Sequence, residues 1–175
     1  MDAIFEILKL ILPAVVVFFT AFYTLKNYLD NEQKLKAMEI RKAGQETTMP
    51  IRMQAYERLT LFLDRLHLQK LVMRVHGDKV KTAKQFHSDL LNAIRSEFDH
   101  NITQQIYVSA KAWEVTERAK DEMIKLVNLA STQLEDNATG LDLSKTLFKM
   151  GDELEQLPTT YALAIVRNEA RKLFA

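Results

Sequence analysis

The sequence predicts an all-α protein in which a single N-terminal transmembrane helix is followed by a cytoplasmic bundle of about four to five helices. The first observation is that helix breakers are scarce, with 4 glycines and 3 prolines in 175 residues, whereas a sheet protein needs many tight turns. The second is an uncharged apolar run near the N-terminus. The third is the recurrence of apolar residues at spacings of three and four further along the chain, which is typical of amphipathic helices.

Residues 1–27 are predicted to form the membrane anchor. The run from Leu10 to Leu25 carries no charge. Together with residues 3–9 it reaches about 34 Å as a helix, enough for a hydrocarbon core of about 30 Å. Lipid contact is therefore expected through residues 3–27. A cleaved signal peptide is disfavoured because Asp2 and Glu6 are acidic where a signal peptide carries basic residues.

The basic residues that flank the span predict its orientation. One lysine, Lys9, precedes the uncharged run, whereas five basic residues follow it closely: Lys26, Lys34, Lys36, Arg41 and Lys42. Positive charge favours the cytoplasmic side of a membrane. The N-terminus is therefore expected outside and the C-terminal domain in the cytoplasm.

Residues 28–49 are predicted to form a charged juxtamembrane helix and a linker. Apolar residues are too sparse in this stretch to bury much surface alone. The segment from Gly44 to Pro50 contains turn-forming residues and predicts the first break in the chain. Pro50 suits the first turn of a new helix, so the helical bundle domain is assigned to residues 50–175.

The bundle is predicted to begin with a helix from residue 51 to about residue 75, ended by His76-Gly77-Asp78. A helix over residues 81–100 and a long helix over residues 102–135 are expected next. A loop over residues 137–140 follows. It leads to two more helices, which are the fifth and the sixth when the anchor is counted as the first, and the sixth starts at Pro158. The apolar stripes of these helices predict one shared core containing Leu59, Phe62, Leu66, Phe86, Leu90, Ile94, Trp113, Met123 and Leu126.

Composition excludes several function classes. The formal net charge is +1, with acidic and basic residues interspersed, so the basic face of a nucleic-acid binder is not expected. The chain contains no cysteine, which excludes disulfides, thiolate metal sites and cysteine nucleophiles. Neither a glycine-rich phosphate loop nor a His-Glu-x-x-His pattern occurs. The sequence therefore predicts a protein that is not an enzyme and needs no cofactor.

Two carboxylate-histidine pairs leave a metal site as the alternative interpretation. Asp64-x-x-His67 and Glu97-x-x-His100 have the spacing found in di-iron bundles. Asp64 and His67 fall on the polar side of their predicted helix, whereas a metal site in a bundle points inward. Glu97 lies within the apolar sector of its helix, where a carboxylate is either paired in an ion pair that fixes helix register or faces a ligand.

A cluster of polar residues at the predicted turn between the third and fourth helices is the candidate partner-binding surface. Its members are Glu97, His100, Asn101, Gln104, Gln105 and Tyr107. A helix–helix turn explains the same residue types, with Asn101 or Thr103 as the cap of the fourth helix.

Three stretches, together with the N-terminal span, carry a family resemblance. They are PIRMQAYERLTLFLDRL at residues 50–66, EFDHNITQQIYVS at residues 97–109 and AWEVTERAKDEMIKLVNLA at residues 112–130. They resemble an uncharacterised family of bacterial membrane-anchored helical proteins, a domain of unknown function with QAYERL and HNxxQQIYVS-type motifs. Members usually have a proline near the middle of the helix after QAYER, where this sequence has His67-Leu68-Gln69. The resemblance implies a bacterial inner membrane and brings no activity.

The function expected from the sequence is a membrane-tethered, non-enzymatic protein-interaction or scaffold module, a description that includes an accessory subunit of an inner-membrane assembly. The sequence does not specify the protein partner of this module, and the module could also form a homo-oligomer. The alternative is a helical bundle that binds a metal or a small ligand through Glu97 and His100.

Overall fold

The computed structural model describes residues 2–77 and 81–173, with the side chains of residues 2–8 and 10 excepted. The described residues contain six α-helices and one 3₁₀ helix, and the only β-type pairing among them is one isolated bridge. The all-α prediction is therefore confirmed. The helices are α1 (Asp2–Leu66), α2 (Leu68–His76), α3 (Ala83–Asp99), the 3₁₀ helix (Ile102–Ile106), α4 (Ala110–Thr132), α5 (Gly140–Asp152) and α6 (Pro158–Lys172). The chain divides into two compact units, Met1–Thr48 and Met49–Ala175.

The first unit is helical throughout its described residues, and its apolar side chains are exposed. An 18-residue window near the N-terminus of α1 has the length and composition to cross a membrane, and none of its residues is buried. Two threonine hydroxyl groups in this window bond within the helix itself: Thr20 Oγ1 donates to the Val16 carbonyl at 2.8 Å, and Thr24 Oγ1 donates to the Thr20 carbonyl at 2.7 Å. The window therefore presents apolar surface, and the helix backbone satisfies its threonine hydroxyls.

The predicted break at residues 44–50 is wrong. Helix α1 continues through both Gly44 and Pro50 to Leu66. Glycine in a helix interior costs about 1 kcal/mol, and proline costs about 3 kcal/mol because it removes a backbone hydrogen bond and its ring crowds the preceding turn. Good helix formers on both sides carry the helix through the segment, and the Thr48 hydroxyl donates to the Gly44 carbonyl at 2.9 Å.

The predicted helix over residues 51–75 is broken at His67, which is a second correction. His67 has φ −53° and ψ 132°, an extended conformation that separates α1 from α2. Leu66 and Leu68 are 1% and 2% exposed, so both lie in the core. Residues two apart on a straight helix point about 200° apart. The break is what allows both leucines to be buried on one side.

The predicted fourth helix over residues 102–135 is also divided. A 3₁₀ helix occupies Ile102–Ile106, and α4 begins only at Ala110. Ser109 is the N-cap, since its side chain accepts a hydrogen bond from the Ala112 backbone N–H at 3.0 Å. Neither Asn101 nor Thr103 caps α4, so that expectation is wrong. Ile106, at the end of the 3₁₀ helix, is 74% exposed.

Two capping boxes define the end of the bundle that contains the starts of α3 and α5. Thr82 and Gln85 cap α3, and Thr139 and Asp142 cap α5. The Thr139 hydroxyl and backbone N–H donate to the Asp142 carboxylate and hold its pKa below the ordinary value. The two caps are joined by the isolated bridge between Thr82 and Thr139. The predicted loop over residues 137–140 and the start of α6 at Pro158 agree with the structure.

The second unit has one continuous apolar core. The predicted stripes of α1 and α3 are buried, and from α4 the core includes Met123. Trp113 and Leu126 are only partly buried and pack against this core. The Phe98 ring links Trp113 to α1, because its centroid lies 5.9 Å from that of Phe62 and 5.4 Å from that of Trp113. Most of the predicted core is therefore confirmed, with two members nearer the surface than expected.

Candidate functional site

A pocket of about 410 Å³ between α1 and α3 contains part of the predicted partner-binding surface. Its floor is formed around Glu97, whose side chain is 23% exposed. One carboxylate oxygen of Glu97 accepts a hydrogen bond from Arg74 at 2.8 Å and forms an ion pair with Arg65 at 3.2 Å. These contacts join α3 to α1 and to α2 across the break at His67. Of the two predicted roles of Glu97, the structure therefore shows the ion pair between helices.

His100 and Asn101 line the same pocket at the C-terminal end of α3. His100 Nδ1 lies 2.9 Å from the Ser96 carbonyl, and the Asn101 amide donates to the Glu97 carbonyl at 2.8 Å. Both side chains therefore complete the end of α3. The His100 Nε2 edge has no hydrogen bond within the described residues and remains available to a ligand.

The other three predicted residues lie outside this pocket. Gln104 and Gln105 belong to the 3₁₀ helix, and the Gln104 amide donates to the Thr103 hydroxyl at 3.3 Å. Tyr107 is 40% exposed, and its backbone carbonyl accepts from Arg52 Nε at 3.2 Å. The cluster that is contiguous in sequence is thus divided between a pocket wall and an exposed turn.

Sequence reasoning missed the α1 side of the pocket. Arg58, Leu61 and Arg65 come from α1, at the three- and four-residue spacing of one helix face. That spacing is visible in the sequence, but the residues read as an ordinary solvated face. Leu61 is 54% exposed between the two arginines.

A second pocket of about 400 Å³ lies on the other side of Leu61, between α1 and α6. Arg58 and Leu61 line both pockets, and α6 adds Arg167 to the second. None of the ion pairs within the described residues involves Arg58 or Arg167. We call the surface formed by Arg58, Leu61 and Arg65 the α1 ridge. It joins an exposed apolar side chain to Arg58, which has no ion-pair partner, and to Arg65, which pairs with Glu97, while Glu57 and Asp64 also line the second pocket.

The residues of the alternative metal site do not come together as a set of metal ligands. Asp64 accepts from Lys70 Nζ at 2.7 Å, and Glu97 is occupied by two guanidinium groups. His67 sits at the break between α1 and α2. Within residues 2–77 and 81–173, no three His, Asp or Glu side chains gather in a geometry that would hold a metal ion.

A partly buried polar network ties three distant segments together, and sequence reasoning did not find it. The Tyr56 hydroxyl donates to Glu169 Oε2 at 3.1 Å and accepts from the Ser109 backbone N–H at 3.2 Å. The Ser109 hydroxyl also donates to Glu169 Oε2. Tyr56 belongs to QAYERL and Ser109 ends HNITQQIYVS. These motifs therefore meet in a contact that fixes α6 against α1 and the start of α4.

Comparison with known proteins gives one match. A model for a family of unknown function, DUF7935, matches residues 2–173. No curated protein and no solved structure matches the chain. The match covers both compact units.

Proposed function

The chain belongs to the DUF7935 family, for which no function is known, and we propose that it is a membrane-tethered, non-enzymatic protein-interaction module. Residues 3–27 anchor it in a bacterial inner membrane, with the N-terminus outside and the second unit in the cytoplasm. The α1 ridge and the pocket beside it bind an acidic segment of a protein partner. An accessory subunit of an inner-membrane assembly is one form of such a module.

The anchor half of the proposal is supported by the composition and hydrogen bonding of α1. The span is apolar, its side chains are exposed, and the hydroxyls of Thr20 and Thr24 are satisfied within the helix. A backbone that satisfies its own hydrogen bonds is what a bilayer core requires. The excess of basic residues after the span supports the orientation.

Cysteine labelling tests the orientation. The chain has no cysteine of its own. Gly140 is unsuitable for a probe because an added Cβ would lie 3.2 Å from Phe86 Cβ, whereas neighbouring Leu141 is 54% exposed. A full-length Leu141→Cys protein should resist a membrane-impermeant thiol reagent in intact cells and react after the cells are opened. Asp2→Cys is the control and should be labelled from outside. Labelling of Leu141→Cys in intact cells would reverse the topology.

The binding half of the proposal depends on one observation, the exposed Leu61 between Arg58 and Arg65 at the edge of a pocket. Apolar surface rimmed by polar groups is typical of recognition sites, and here Leu61 supplies the apolar centre at the pocket edge and the two arginines supply the rim. The excess of guanidinium groups over carboxylates in the pocket favours an acidic partner. Arginine is suited to this role because its planar group binds carboxylates through two parallel hydrogen bonds.

Photo-crosslinking in native membranes tests the binding surface. A photoreactive amino acid at position 61 of the full chain should crosslink to protein, whereas the same group at position 129 should not. Leu129 is the matched control because it is also 54% exposed but lies on α4. Adding Arg58→Glu should lower the yield at position 61 about tenfold, since one interfacial charge contact is worth about 1.4 kcal/mol or more. Equal yields at positions 61 and 129 would exclude the α1 ridge as a binding surface.

A further inference from the structure

The connection between α5 and α6 carries a surface complementary to the α1 ridge. Asp152, Glu153, Leu154 and Glu155 are all exposed, and Leu154 is 43% exposed. We call residues 152–156 the acidic loop. None of the ion pairs found among the described residues uses its carboxylates. The loop therefore offers an apolar side chain flanked by free negative charge.

The acidic loop is held in place by the core beneath it. Gly151 is buried, and a Cβ added there would lie 2.5 Å from Leu68 Cδ2, so the end of α5 packs directly on the start of α2. Pro158 fixes the first turn of α6 on the other side of the loop. A loop anchored at both ends loses less conformational entropy on binding than a free segment does.

We infer that the α1 ridge binds the acidic loop of a second copy of this chain, so that copies associate head to tail. This inference rests on the proposed function and names its partner. The two surfaces carry opposite charge around matched apolar centres. Leu61 lies between Arg58 and Arg65, and Leu154 lies between Glu153 and Glu155. Arg58 and the three loop carboxylates have no ion-pair partner within the described part of one copy, whereas Arg65 already pairs with Glu97. Arg58 is therefore the free positive charge that the loop carboxylates would meet.

The two surfaces differ, so a pair that makes this contact once is heterologous and propagates from copy to copy as a ring or an open row, whereas a pair that makes it twice closes a two-fold dimer. All copies anchored in one membrane enter it in the same orientation, and a head-to-tail contact is compatible with that arrangement. An antiparallel pair built on the same contact is not.

Disulfide crosslinking between differently tagged full-length copies in one membrane tests the inference. One copy carries Leu61→Cys and the other Leu154→Cys, and an added oxidant closes a disulfide only where the Cα atoms come within about 7 Å. The expected product contains both tags, at roughly ten times the yield of the control pair Leu129→Cys with Leu154→Cys. A yield equal to that of the control pair would overturn the inference, as would a Leu61–Leu61 product as the main species.

A charge exchange tests the complementarity itself. Arg58→Glu in the Leu61→Cys copy should lower the mixed disulfide about tenfold, and Glu153→Arg with Glu155→Arg in the Leu154→Cys copy should restore it. Failure to restore the yield, with both variants present in the membrane at normal levels, would overturn the charge pairing. If position 61 photo-crosslinks to a different protein while the cysteine pair stays at the control level, the self-association fails and the proposed function stands. If position 61 crosslinks neither to a second copy nor to a different protein, both the self-association and the proposed function fail.

Discussion

Replacing Phe62 with alanine is expected to lower the free energy of unfolding of the second unit by about 3–5 kcal/mol. Phe62 is 1% exposed, so its removal leaves a cavity in the core. The cavity would lie beside Phe98, whose ring joins Phe62 to Trp113 and has Lys120 Nζ 4.3 Å from its centroid. The substitution therefore loosens the contact of α1 with both α3 and α4.

Denaturant unfolding of the full chain in detergent, followed by tryptophan fluorescence, measures this effect. Trp113 is the only tryptophan in the sequence, and it packs against the Phe98 ring, so its signal reports on this part of the core. Leu129→Ala is the control and should change stability by less than about 0.5 kcal/mol, since the side chain is exposed. Trp113→Ala removes the only tryptophan, so its unfolding is followed by far-UV circular dichroism instead, and it should cost less than Phe62→Ala because Trp113 is only partly buried. An unfolding midpoint for Phe62→Ala equal to that of Leu129→Ala would show that this core assignment is wrong.

Removing the Tyr56 hydroxyl is expected to cost about 1–3 kcal/mol. Tyr56 is 2% exposed. Its hydroxyl donates to Glu169 and accepts from the Ser109 backbone N–H, so Tyr56→Phe leaves that N–H without its partner and deprives Glu169 of one of its two donors. The phenyl ring is kept, so the loss comes from hydrogen bonding and not from packing.

Tyr161→Phe is the matched control, since Tyr161 is 52% exposed and should lose nothing measurable. A double-mutant cycle with Glu169→Ala separates the network from nonspecific destabilisation. The two changes act on one hydrogen bond, so the cost of the double variant should fall short of the sum of the single costs. Additive costs, or a Tyr56→Phe variant as stable as Tyr161→Phe, would show that the network does not stabilise the unit.

Helical class and most of the core followed from the sequence because they depend on local patterns. A candidate span is recognised from one uncharged run, and a buried helix face from residues three and four apart, as in Leu59, Phe62 and Leu66. The start of α6 at Pro158 is likewise a local signal. The apolar residues Leu66 and Leu68, two positions apart, also indicate the break at His67, because one face of a straight helix cannot bury both.

Tertiary structure decided which side chains meet. Glu97 lies on an apolar sector, but its partners Arg65 and Arg74 belong to α1 and α2. Tyr56 and Glu169 are 113 positions apart, and their contact depends on how α6 packs on α1. The polar cluster from Glu97 to Tyr107 is continuous in sequence, yet it is divided between the end of α3 and the 3₁₀ helix that follows. Periodicity specifies the face that a helix buries, whereas the identity of its neighbour depends on the packing of elements that are distant along the chain.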